Sequence, residues 1–304
     1  MELVDDQREA INDFVTLFKG RSDCYGSEHG GCVKEPLTRE TFRNHLTDGP
    51  YIGVYPAVPR GVHPSICVWG CSDIDVEDLD SARLIQRTLD MVGVVSWVER
   101  SRSKGYHVWV FASAPVPAEN MRRMFLVAHQ VANYPAREVN PKQSNVSVSK
   151  VGNYVRLPYP NALVNDPIRR VILDDQDQPM TLGEWLPLAM ANRTDPAKIA
   201  QLAELYVPPV QQHIVVDLGT TESLDDALRM ANPMIRTIWR DGPLPNKDRS
   251  STLMFLAYAC QEAGMTPSMC HVVISDADKR WGKYTSKGQL EELDKIVSRA
   301  FGGR

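Results

Sequence analysis

The chain has 304 residues, enough for about two domains. Its composition, 43% hydrophobic and 24% charged, excludes a disordered, collagen-like or small disulfide-stapled protein. The net charge of −4 speaks against a nucleic-acid coat protein, which would carry a basic excess.

The opening Met1-Glu2-Leu3-Val4-Asp5-Asp6 lacks the basic and apolar regions of a signal peptide. No apolar run approaches the roughly 18 residues of a membrane span, so a cytoplasmic protein without membrane contact is expected. None of the six cysteines forms a CxxC pair. Cys24, His29 and Cys32 share a Gly-rich loop. A metal knuckle is one reading of them, reduced thiols the simpler one.

In chain order, Ile11, Phe14, Val15 and Phe18 have helical spacing. A polar loop runs from Gly20 to about Pro36, and Thr38-Arg39-Glu40-Thr41 opens a second helix. Residues 66–76 read as a strand ending in carboxylates. Residues 80–92 read as a helix with Leu84, Ile85, Leu89 and Val92 inward. Gly93–Glu99 and Tyr106–Ala112 are strands, and Pro117–Asn133 is a helix with Met121, Met124, Phe125, Ala128 and Ala132 on one stripe. Val146–Ser149, Tyr154–Leu157 and Arg169–Leu173 are short strands, and 196–206 is helical. The pattern is α+β rather than a βαβ repeat. Val207–Gln212 reads as a linker, and from Ser223 the periodicity is helical to the end. The expected organisation is a sheet domain over 1–206, a linker over 207–217 and a helical bundle over 218–304.

Charge is uneven. Residues 71–96 carry −4 and residues 97–170 carry +7. In the acidic stretch, Asp73 and Asp75 alternate on a strand and so share a face, about 7 Å apart. That suits hard divalent cations, although a solvated strand end has the same pattern. In the basic stretch, Ser101-Arg102-Ser103-Lys104-Gly105-Tyr106-His107 places a hydroxyl, an ammonium and a glycine turn before an apolar strand, a phosphate-binding composition. Trp109 and Phe111 are expected on the face of His107. Glu138-Val139-Asn140-Pro141-Lys142-Gln143 and Gly152-Asn153-Tyr154-Val155-Arg156-Leu157-Pro158 are, singly, a charged loop and a surface hairpin.

Taken in order, Asp73-x-Asp75, Ser103-x-Gly105-x-His107, the Glu138 step into Pro-Lys-Gln and Gly-Asn-x-x-Arg156-Leu-Pro resemble the archaeo-eukaryotic primase superfamily. They look most like its primase-polymerase branch of phages and plasmids, over roughly residues 10–175. Val98-Glu99-Arg100-Ser101 adds to the likeness. The resemblance implies an RRM-like, mixed-sheet catalytic core followed by a small all-helical primase C-terminal module. It implies Asp73, Asp75 and Glu138 as ligands of two Mg²⁺ or Mn²⁺ ions. Glu138 stands where Asp is common. Ser103, Lys104, His107, Lys142 and Arg156 become contacts of an NTP or dNTP. The expected activity is primer synthesis and extension on single-stranded DNA, with a helicase as an associated partner. Arg100 and Arg102, with Lys279, Arg280 and Trp281 in the bundle, are candidate nucleic-acid contacts. A solvated helix end beside a core Trp explains the last three equally well. A metal-dependent nuclease and a non-catalytic DNA-binding module are the rival readings.

Overall fold

The computed structural model describes residues 5–136, 138–149, 151–208, 222–245 and 247–302. The chain divides into two compact units, Met1–Val207 and Pro208–Arg304. Of the segment read as a linker, residues 209–217 lie outside the described residues.

In the first unit α1 (Asp5–Leu17) is followed by a short hairpin, β1 (Tyr25–Ser27) and β2 (Cys32–Val33), inside the segment expected as loop. Next is α2 (Arg39–Leu46), whose N-cap Thr38 forms a reciprocal capping box with Thr41, as its sequence signature implies. Then come β3 (Ile52–Val54), β4 (Val58–Arg60), β5 (His63–Ile74), α3 (Leu79–Asp90), β6 (Ser96–Arg100), β7 (Tyr106–Pro117) and α4 (Ala118–Val131). The unit closes with β8 (Glu138–Asn140), β9 (Val155–Arg156), β10 (Val171–Ile172), α5 (Leu182–Ala191) and α6 (Pro196–Glu204). Residues 146–149 are not a strand: Val146 is instead anchored by its N–H, which donates to Ser65 Oγ at 3.0 Å.

The larger sheet runs β10-β6-β7-β5-β4, with β8 on the far half of β5. The smaller runs β2-β1-β3-β9. The ladders between named strands are antiparallel; the parallel element is an isolated bridge, Ala112 to Thr194. The larger sheet is covered on both faces. One face packs on α3, α4 and α6 through Val98, Val108, Val110, Phe125 and Ile199. The other packs Trp69, Trp109 and Phe111 against Phe14 of α1, Phe18 just after it and Trp185 of α5.

A register shift between Cys67 and Trp69 reverses the alternation of β5. Before it Cys67 faces the α3/α4 core; after it Trp69 and Cys71 face the aromatic core, and Asp73 continues their row. On α3 the buried face is Ala82, Arg83, Ile85 and Leu89. Leu84 and Val92, expected inward, are 42% and 50% exposed. The helix stops at Asp90, so Val92 lies beyond it, and the Arg83 guanidinium is drawn in by Asp177 and the Asp174 carbonyl.

The second unit contains α7 (Leu224–Met230), α8 (Pro233–Asp241), α9 (Arg249–Glu262), α10 (Pro267–Trp281) and α11 (Glu291–Phe301) around one apolar core. Ser223, Asn232, Asp248 and Thr266 cap the first four, each accepting from the N3 backbone N–H. Among the described residues no helix is long and apolar enough to cross a membrane.

Candidate active site

Four side chains form one row across the larger sheet. Cross-strand register pairs Glu99 with His107, His107 with Asp73, and Asp73 with Glu138. Directly opposed residues of antiparallel strands share a face, so β6, β7, β5 and β8 deliver this row to the aromatic side of the sheet. Trp109 and Phe111 continue the His107 face inward, as expected, with the His107 and Trp109 rings 5.6 Å apart.

The row opens into a cavity of about 610 Å³. Asp73, Asp75, Glu138, Ser103, Lys104, His107, Arg102 and Arg156 all line it. Of the sequence-derived residues in the first unit, Lys142 and Arg100 are not part of its lining. Lys142 stands at the rim, its Nζ 3.7 Å from Glu138 Oε1. Arg100 follows Glu99 on β6 and turns to the opposite face, where it lines a smaller cavity with Glu77, Lys104, Tyr106 and Arg169.

Within the row, His107 is fixed from one side. Its Nδ1 is 2.8 Å from Glu99 Oε2, which also accepts from Trp109 Nε1 at 2.7 Å. Its Nε2 lies 3.6 Å from Asp73 Oδ1. Burial works against an imidazolium here, but the Glu99 charge and then Asp73 outweigh it and push the His107 pKa up to about 10. At neutral pH the ring is a cation placed between two carboxylates.

The flanking loops lock together. Gln143 of the Pro-Lys-Gln segment exchanges two hydrogen bonds with Asn153 of the Gly-Asn turn: Nε2 donates to Oδ1 at 3.0 Å, and the Asn153 N–H donates to Oε1 at 3.1 Å. Tyr154 lies over Gly26 and Gly53, where any Cβ would strike its ring. Arg156 donates from Nη2 to the Glu28 carbonyl at 3.2 Å. On the other side of the sheet Arg122 of α4 donates to the Val139 carbonyl at 2.6 Å and so steadies the strand bearing Glu138.

Among the cavity residues to which sequence reasoning gave no role are Glu99, Asn140 and Arg170, each at most 5% exposed. A carboxylate closing an apolar strand was the available signal for Glu99, because an ionised group enters a core only with partners. Nothing comparable marked Arg170, read as one of two arginines opening an expected strand; the strand itself begins at Val171.

Among the described residues, no three His, Cys, Asp or Glu side chains are gathered closely enough to hold an ion as they stand. That includes Cys24, His29 and Cys32: Cys24 is buried and its raised thiol pKa, about 12, reflects burial and the neighbouring Cys32 thiol, while His29 is exposed. In the second unit Arg280 stacks on the Trp239 ring at 4.6 Å and donates to the Trp239 carbonyl at 2.7 Å. Trp281 packs against the bundle core, and Lys279 is exposed.

The sequence matches the family model of the archaeo-eukaryotic primase domain of TOTE conflict systems over residues 27–202. Among curated proteins there is no match. Among solved structures, primase RepB′ is similar at 14% identity, over 98% of this chain and 95% of that one, with a TM-score of 0.31. The AEP domain of the cyanophage S-2L primase-polymerase is 14% identical over 64% of this chain and 97% of its own, with a TM-score of 0.37. The polymerase domain of Mycobacterium tuberculosis ligase D, solved with DNA, is 12% identical over 64% and 87%, with a TM-score of 0.29. At such TM-scores none of the three bears on what the chain does.

Proposed function

The chain belongs to the archaeo-eukaryotic primase domain family of TOTE conflict systems, and on that premise we propose that its first unit is a template-directed nucleotidyltransferase, a DNA primase-polymerase. The observation that carries the reading is the in-register row Glu99–His107–Asp73–Glu138 at the mouth of a cavity lined by Ser103, Lys104 and Arg156. The lining combines carboxylates with cationic side chains, the two kinds of group a metal-bound nucleoside triphosphate requires.

Asp73, Asp75 and Glu138 fit a hard divalent cation, Mg²⁺ or Mn²⁺. Their donors are all carboxylate oxygens, and Asp73 stands directly opposite Glu138, a like-charge pairing that costs energy until a cation offsets it. Rotation of the side chains would bring the three together on it. When bound, such ions favour the ionised attacking hydroxyl and offset charge on departing pyrophosphate.

The chain's own residues bind and orient. Glu99 holds the His107 ring so that Nε2 faces the cavity and donates to a phosphate oxygen. Ser103 and Lys104 offer a hydroxyl and an ammonium from the turn beside it, and Arg156 a guanidinium from β9. Lys142, at the rim, is placed to meet charge near Glu138. Arg102 in the cavity wall and Arg100 and Lys279 outside it are the cations proposed for single-stranded template, with Arg280 and Trp281 framing the bundle surface that carries Lys279. A helicase domain or subunit would supply unwound template.

A primer-synthesis and extension assay on single-stranded DNA tests this, with NTPs and dNTPs supplied separately and Mg²⁺ or Mn²⁺ added. Extension by the wild type and its loss in the folded Asp73→Ala/Asp75→Ala double variant is expected. Undiminished extension by that variant overturns the mechanism. Metal-dependent cutting of DNA without nucleotides would instead establish a nuclease, and metal-independent DNA binding alone a non-catalytic module.

A further inference from the structure

Arg170 is 5% exposed and lines the cavity, yet its Nη2 has no hydrogen-bond partner. Among the described residues it makes no ion pair; its guanidinium lies over the Tyr51 ring at 5.4 Å. Of the two carboxylates that attract it, Glu99 is already committed to His107 and Trp109, and Glu28 makes no ion pair with it. Arg156 and Arg102 line the same cavity and stand close enough to repel Arg170. Arg156 repeats the pattern, with a buried Nε that has no partner.

A guanidinium taken from water with no ion-pair partner is destabilising, and an orphaned buried donor in a cavity wall calls for a ligand. Three mutually repelling arginines call for a multiply charged anion.

Their position is informative. The strand order β10-β6-β7-β5 separates the strand beginning beside Arg170 from that of Asp73 by three strand spacings, about 14 Å at ~4.8 Å each. The arginine side chain spans part of that distance. What remains suits a short polyphosphate whose other end lies at the carboxylates.

We propose that Arg170, backed by Arg156, receives the terminal phosphate of the bound nucleotide, so that the cavity measures polyphosphate length and selects triphosphates over diphosphates. The proposal rests on the reading of the cavity as a nucleotide site. Of the four sequence motifs only Arg156 shares in this selectivity: His107, Ser103 and Lys104 stand nearer the carboxylates, where every nucleotide carries phosphate.

Titration of the full chain with inorganic tripolyphosphate, pyrophosphate and orthophosphate, without metal, examines the anion end apart from any chemistry. Wild type is expected to favour tripolyphosphate over pyrophosphate by about tenfold, the worth of one charged hydrogen-bonding contact. Arg170→Met should erase the preference, and Arg170→Lys, which keeps charge but loses the fork, should retain part of it. A folded Arg170→Met with wild-type preference overturns the proposal. If Arg170→Met does not fold, an unchanged preference in both Arg170→Lys and Arg156→Met overturns it. Polyphosphate preference without primer extension would leave Arg170 in this role and remove the polymerase reading. Extension with an unchanged nucleotide KM in Arg170→Met would do the reverse.

Discussion

Gly105 is packed against the strand end that carries the carboxylates: a Cβ built on it would lie 2.2 Å from the carbonyl oxygen of Ile74, between Asp73 and Asp75. Its φ of +100° is also one that side chains rarely adopt. The glycine of the Ser-x-Gly-x-His turn thus sets how closely the phosphate-binding turn approaches the acidic strand. Gly105→Ala should destabilise the first unit by about 2–5 kcal/mol, overpacking and backbone strain combined, and should lower extension further than stability alone explains. Gly61 has a positive φ but open space around it, so Gly61→Ala should cost only about 1 kcal/mol. Urea unfolding of the two variants, with extension assayed under folded conditions, checks the contrast.

Glu99→Gln keeps an acceptor for Trp109 and removes the charge facing His107. The His107 pKa should fall from about 10 toward its ordinary value of 6.5, visible by NMR titration of the ring. Stability should drop by roughly 1–3 kcal/mol. If Glu99 positions the histidine, nucleotide KM should rise about tenfold while the order of metal preference stays the same.

His45 gives the first unit an acid limit. It is fully buried, with Nε2 2.8 Å from the Pro158 carbonyl and Nδ1 accepting from the Ile52 N–H at 3.3 Å. Those partners demand the neutral Nε2–H tautomer, since a protonated Nδ1 would face a donor. Burial, only partly offset by the Pro158 bond, pulls the His45 pKa down to about 3 from 6.5. The folded pKa is the lower one, so this stability is fully present above pH 6.5 and is lost as pH falls toward 3. The slope is at most about 1.4 kcal/mol per pH unit. His45→Gln, which can reproduce both hydrogen bonds, should be less stable at pH 7.5 but should lose less on going to pH 5, as chemical denaturation at both pH values would reveal.

In the helical unit, buried Asp278 accepts from the N–H groups of Lys283, Tyr284 and Thr285 and from Thr285 Oγ1. An Asn there must turn an NH₂ toward at least one of these donors. Asp278→Asn should cost about 3 kcal/mol or more, with hydrogen exchange accelerated over residues 282–286. Unchanged protection of these amides would show that the turn after α10 holds without the carboxylate.

Most of this architecture was legible where chemistry repeats along the chain. Alternation placed His107, Trp109 and Phe111 on one face, and the capping signature at Thr38 placed the start of α2. Local signals cannot report which strands become neighbours. The β8 pairing that sets Glu138 opposite Asp73 was therefore not visible; family likeness implied only that the two carboxylates share a site. The hairpin of β1 and β2 was missed because its strands are too short for periodicity to register. Leu84 misled because the buried Arg83 took the inward position an apolar residue ordinarily holds. Arg170 was invisible because its meaning lies in a missing partner, and only burial discloses that.

The irregularity in β5 between Cys67 and Trp69 means that the site depends on counting as much as on composition. One residue added or removed between that point and Asp73 would leave every motif intact to the eye. It would also exchange the two faces of the strand, sending both aspartates toward α3 and α4 and Ile74 into the cavity. Among homologous chains, a constant number of residues from the irregularity to Asp73 should therefore be kept more strictly than the identities of the residues between them.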